Sequence, residues 1–140
     1  MIFTNVLLLF SLLFYACAEN AITEQPVYKP NNNETLDIIT WNVQNFPKNN
    51  NITINYLSEI ILEIDADIIA LQEIESNQYF DQLLYKLAGW NGYRASSAYG
   101  DVNLAFLYKS NLQIVDINEI VSLDDYSLPR TPLMMEMLWG

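Results

Sequence analysis

The chain predicts an α/β domain with helices laid over a sheet, and three observations carry that prediction. Two short β-branched runs alternate with two segments of helical periodicity. Strand-like runs alone follow them. Of the 140 residues, 51% are hydrophobic and 16% charged, a balance that suits a packed core and not a disordered tail.

Leu36-Asp37-Ile38-Ile39-Thr40-Trp41 is β-rich and short and reads as a strand. Residues 42–51, with Pro47 and a run of asparagines, read as a loop. Ile54, Leu57, Ile60, Ile61 and Ile64 then recur at helical spacing, with Glu59 and Glu63 opposite; Asn51 or Thr53 is the expected cap. Asp67-Ile68-Ile69-Ala70-Leu71-Gln72 is a continuous apolar run, as in a strand buried on both faces. A second helix is expected to start at Ser76, to carry Phe80, Leu83, Leu84 and Leu87, and to stop with Gly89 at C′. Residues 93–97 and 103–108 read as strands. Residues 112–115 follow across a Lys109-Ser110-Asn111 turn and are expected to form a hairpin with 103–108. Residues 132–138 are a last, Met-rich strand that runs to the end of the chain, so the chain is expected to be a fragment cut within a domain.

Ahead of this lies an address. Residues 1–17 are almost wholly apolar and match a secretory signal peptide better than a membrane span of about 20 residues. Phe14-Tyr15-Ala16-Cys17 resembles a loose lipobox with Cys17 as the acylated residue, while Ala16-Cys17-Ala18 also fits ordinary signal cleavage. Residues 18–35, with Pro26, Pro30 and three asparagines, read as a polar tether. The expectation is an exported protein: an outer-membrane or cell-surface lipoprotein anchored through Cys17, or a secreted one.

Side-chain inventory removes whole classes of chemistry. Lys and Arg number 6 and Asp and Glu 17, for a net charge of −11, which argues against a free-standing basic nucleic-acid clamp. There is no histidine, so Ser-His-Asp, Cys-His and HExxH sites are excluded. One cysteine excludes an internal disulfide and a multi-cysteine zinc site. The 4 glycines form no GxGxxG or Walker loop. What survives is hard-metal chemistry on oxygen ligands, or no catalysis.

Two polar residues stand in telling places. Asn42 directly follows one apolar strand and Glu73 directly follows the next. Ligands gather at the carboxyl ends of strands in α/β sheets. If the two strands are parallel neighbours, Asn42 and Glu73 emerge side by side, an oxygen-rich corner for Mg²⁺ or Ca²⁺. The bland alternative is a capping asparagine and a solvated glutamate.

The runs Leu36-Asp37-Ile38-Ile39-Thr40-Trp41-Asn42-Val43-Gln44-Asn45-Phe46 and Asp65-Ala66-Asp67-Ile68-Ile69-Ala70-Leu71-Gln72-Glu73-Ile74 resemble, with their spacing, the first two motifs of the endonuclease/exonuclease/phosphatase superfamily. The resemblance covers residues 36–140, an N-terminal portion of a deoxyribonuclease-like domain. It implies about half of a four-layer αββα sandwich with mixed sheets. It implies Glu73 as the divalent-metal carboxylate, for Mg²⁺ or else Ca²⁺ or Mn²⁺, and Asn42 as the active-site asparagine beside that metal. Gln44 stands where some members have an acidic residue. Tyr99 resembles the tyrosine that touches the scissile phosphate, with Tyr93 as its competitor. Arg130 resembles the arginine that contacts a backbone phosphate, a role its fork-shaped donors suit.

The resemblance implies later motifs with catalytic histidines, an Asp-x-Asn pair and a closing Asp-His; a chain without histidine lacks the histidines and the Asp-His. By itself it is expected to be inactive, and its parent to be an exported, metal-dependent phosphodiesterase, with DNA the first expected substrate. A phosphatase or sphingomyelinase-like phosphoesterase is the alternative within the enzymes, since the acidic balance repels a polyanion. A surface-anchored binding module that kept the fold and lost the chemistry is the alternative outside them.

Overall fold

The computed structural model describes residues 35–98, 102–121 and 130–139. Cys17, the signal peptide expected at 1–17, the expected tether up to residue 34 and Tyr99 lie outside the described residues.

The described elements run β1 (Ile38–Phe46), α1 (Asn51–Ile64), β2 (Ile68–Ile74), α2 (Asn77–Lys86), β3 (Trp90–Arg94), β4 (Asn103–Lys109), β5 (Gln113–Glu119) and β6 (Leu133–Leu138). Strands β1-β2-β4-β3 form one sheet in that order, and β5-β6 form a separate ribbon. β1 and β2 are parallel, with Ile38 opposite Ile68 and Asn42 opposite Gln72. β2 with β4, and β3 with β4, are antiparallel, so the sheet is mixed, as the resemblance implies.

Both helices cover the same face of this sheet. Ile54, Leu57 and Ile61 of α1 and Phe80 and Leu83 of α2 share one core with Ile69 and Leu71 of β2 and Ala105 and Leu107 of β4. Alternate strand residues reach that face because side chains in a strand alternate sides. Gly92 of β3 is part of the fit: a Cβ there would lie 3.0 Å from Phe80 Cζ and 3.1 Å from Leu107 Cδ2.

Helix boundaries differ in detail from the sequence expectation. Asn50 is the residue ahead of α1 and makes no side-chain cap, while Thr53 Oγ1 accepts the Asn49 amide at 2.9 Å. Ile60, expected on the buried stripe, is exposed. Ser76 does cap α2, its hydroxyl accepting the Tyr79 amide. That helix ends at Lys86 with Leu87 as its C-cap, and Gly89 takes its positive φ of 84° two residues after the cap, in the turn to β3.

The expected hairpin between β4 and the following strand does not form. β4 is central, with β2 on one side and β3 on the other, so both its hydrogen-bonding edges are occupied. β5 must find another partner and pairs antiparallel with β6, Asn118 opposite Met134 and Glu119 opposite Leu133. The ribbon is joined to the sheet through Glu119. Its carboxylate accepts the backbone amides of Ser96, at 3.0 Å, and Ser97, at 2.8 Å, and the Tyr93 hydroxyl at 2.9 Å.

Candidate functional site

The site is made where two strands leave their ladder together. Between the pairs Asn42↔Gln72 and Phe46↔Ile74, three residues of β1 (43, 44 and 45) face one of β2 (73). On the other side of β2, between Leu71↔Ala105 and Ile74↔Asn103, two residues of β2 (72 and 73) face one of β4 (104). Such bulges turn a side chain out of the regular alternation. The backbone shows it: Gln44, Asn45 and Glu73 have φ of 44°, 54° and 64°, in the left-handed region that non-glycine residues rarely occupy. A β1 running to Phe46, where the sequence reading placed a loop from Asn42, is the same irregularity seen along the chain.

Glu73 is thereby brought under a set of donors. Asn42 Nδ2 donates to its Oε1 at 2.9 Å, and the Asn45 amide donates to its Oε2 at 3.1 Å. Arg130 Nη2 lies 3.6 Å from Oε1, an ion pair from the loop ahead of β6. The Asn42 amide holds the Glu73 carboxyl below the usual carboxylate range, the Asn45 N–H and Arg130 adding to this against a desolvation that opposes it. The side chain remains one-fifth exposed, so the anion is both fixed and reachable.

Asn42 and Glu73, far apart in sequence, are thus brought side by side as the sequence reading expects, and Arg130 joins them. The role of Asn42 is sharpened. Its Oδ1 accepts the Gln44 amide at 2.9 Å while its nitrogen faces the carboxylate. In this arrangement the Asn42 nitrogen orients Glu73 and its oxygen is engaged by the Gln44 amide, so it turns no second oxygen toward a cation on Glu73. Tyr93 is committed elsewhere, and the Glu119 carboxylate that accepts its proton holds the phenol above its ordinary range. Gln44 keeps its side-chain oxygen toward Lys48 Nζ at 3.5 Å.

The sequence reading missed two contributors. Asn45 supplies a backbone N–H to Glu73 and a side-chain amide to Glu75 Oε1. Arg94 donates from Nε to the Ile74 carbonyl at 3.1 Å and from Nη2 to the Glu75 carbonyl at 3.2 Å. Neither belongs to a recognisable local pattern, because each acts on backbone or side chain of a strand distant in sequence.

Among the described residues no group of three or more His, Cys, Asp or Glu could hold a metal. The donor set is one ionised carboxylate. That fits Mg²⁺, which keeps most of its waters and takes one or two carboxylates with substrate phosphate; it suits Ca²⁺ less, which asks for six to eight oxygens. Beside Asn42, between β1 and α1, runs a groove of about 400 Å³ walled by Trp41, Gln44, Ile52, Tyr56 and Ile60, with no charged side chain lining it among the described residues.

Known structures share this arrangement of elements. Truncated TDP2 of Caenorhabditis elegans is similar over 75% of this chain and 41% of its own, at 17% identity and a TM-score of 0.59. A humanized TDP2 of D. rerio carrying 14 mutations is similar over 61% of this chain and 37% of its own, at 21% identity and a TM-score of 0.52. The chain therefore spans about two fifths of these structures or less. No curated protein matches it. The model of the endonuclease/exonuclease/phosphatase family matches residues 39–134, the stretch that holds Asn42, Glu73 and Arg130, and the chain belongs to that family.

Proposed function

We propose that this chain is the metal-carboxylate half of a Mg²⁺-dependent phosphodiesterase, acting first on nucleic-acid phosphodiesters. One observation carries the reading: an ionised glutamate at the carboxyl edge of a parallel strand pair, held by Asn42 and Asn45 and faced by Arg130. A divalent cation there supplies Lewis-acid polarisation of a phosphate oxygen and neutralises charge in the transition state. Glu73 binds that cation, Asn42 fixes the direction of the carboxylate, and Arg130, 43% exposed, has donors left for a phosphate oxygen. Mn²⁺ can stand in for Mg²⁺ on such hard oxygen donors. Tyr99, by its resemblance, is the phosphate-contacting tyrosine of this reading.

Uncharged walls beside Asn42, with the net charge of −11, favour a second substrate class: a phosphoester whose other substituent is apolar, as in a lipid headgroup ester. The experiment is direct. The full-length natural protein is assayed on plasmid DNA and on a sphingomyelin analogue, with Mg²⁺ and with EDTA. EDTA-sensitive turnover lost in Glu73→Gln is expected; turnover that survives Glu73→Gln refutes the reading. The apolar leader ending at Cys17 supports export and a lipid anchor, checked by fatty-acid labelling that Cys17→Ser abolishes.

A further inference from the structure

We propose that Arg94 is a positioning residue for Glu73, acting through the peptide groups that follow it. The inference rests on the reading of Glu73 as a metal carboxylate. Glu73 holds a φ of 64°, a conformation that persists only where the surroundings over-determine it. Just beyond it β2 ends, and its carbonyls must find donors outside the ladder. Arg94 meets two in succession, Ile74 O at 3.1 Å and Glu75 O at 3.2 Å, and its Nη1 reaches Ala95 O at 3.3 Å.

A guanidinium carries its N–H groups in a rigid planar fork. Engaging two consecutive carbonyls therefore fixes the direction of the peptide between them. The opposite side of the same segment is gripped from β1, where the Glu75 amide donates to Phe46 O at 3.0 Å. The Asn45 side chain holds the Glu75 carboxylate there as well. The residues after Glu73 are thus clamped between β3 and β1, with β4 in between. This clamp sets the Cα–Cβ direction of Glu73 and so delivers its oxygens to the donors of Asn42 and Asn45. A lysine in place of Arg94 keeps the charge and loses the fork.

The test uses the ¹⁵N-labelled chain and Mn²⁺, read as the concentration that half-broadens the Asn42 and Asn45 amide signals. Arg94→Gln is expected to need about tenfold more Mn²⁺ or beyond, the usual cost of removing an outer support of a metal ligand. Arg94→Lys falls between it and the parent, and carries the test alone if Arg94→Gln does not fold. Ile69→Val, a core change that also lowers the melting temperature, is expected to leave the Mn²⁺ dependence unchanged. Parental Mn²⁺ dependence in both Arg94 variants, or an equal loss in Ile69→Val, overturns the assignment while Glu73→Gln still abolishes broadening. Broadening that survives Glu73→Gln instead overturns the metal reading, and this inference with it.

Discussion

The side-chain nitrogen of Asn42 lies 2.9 Å from Oε1 of Glu73, across 31 residues of sequence. Parallel pairing of β1 with β2 makes the two neighbours, and the paired bulges turn both outward. This bond is the largest influence holding the Glu73 carboxyl low.

Removing that donor should release the carboxyl. In Asn42→Ala the Glu73 titration is expected to move up toward its ordinary value, read by ¹³C chemical shift at Cδ. A depressed pKa stabilises the fold above the unfolded value and is lost as pH falls through the folded one. The variant should therefore lose stability mainly above the ordinary glutamate range and differ little from the parent in strong acid. An unmoved Glu73 titration would contradict this.

The positive φ of Glu73 makes an inverted prediction for glycine and alanine. Both Glu73→Ala and Glu73→Gly remove the carboxylate, and in an ordinary strand alanine is the more stable choice. At a φ of 64° the Cβ costs about 1 kcal/mol, so Glu73→Gly is expected to exceed Glu73→Ala in urea denaturation by about that amount. The usual order, alanine above glycine, would show that the left-handed conformation is not held.

Gly92→Ala should destabilise the chain by about 1–3 kcal/mol through overpacking, because the new methyl meets Phe80 and Leu107 at 3.0 and 3.1 Å. The measurement is the denaturation midpoint. A companion Phe80→Leu change should recover part of the loss by making room.

Glu119 predicts an acid-sensitive ribbon. Burial raises its carboxyl, but the Ser97, Ser96 and Tyr93 donors more than offset this and bring it to about 2, from an ordinary 4.5. Its contribution is complete above about pH 4.5 and drains away as pH falls from there toward 2. Glu119→Gln is expected to cost about 2 kcal/mol at neutral pH and to flatten the melting temperature against pH between those limits. Equal slopes in parent and variant would remove Glu119 as the pin between ribbon and sheet.

Much of this architecture was legible in the sequence, for identifiable reasons. Ile38 to Trp41 and Ile68 to Leu71 announced themselves by β-branched, apolar runs, and the helical spacing of Ile54, Leu57 and Ile61 placed α1 between them. That order puts Asn42 beside Glu73 once the two strands are taken as parallel neighbours, which they are. What escaped was long-range pairing. Nothing in residues 103–108 says that the strand will be flanked on both sides, so the neighbouring 112–115 reads as its hairpin partner. Arg94 and Asn45 escaped because their partners are carbonyls, amides and a carboxylate brought near only by the sheet.

The two irregular registers around Glu73 have a consequence for how this protein tolerates change. Side-chain swaps in the stretch between Asn42 and Phe46 leave the spacing of the strands as it is. Loss of a single residue there would re-phase Phe46, the last residue of β1, against Ile74 and turn its buried side chain away from the core. Segment length, more than spelling, decides the geometry at this edge.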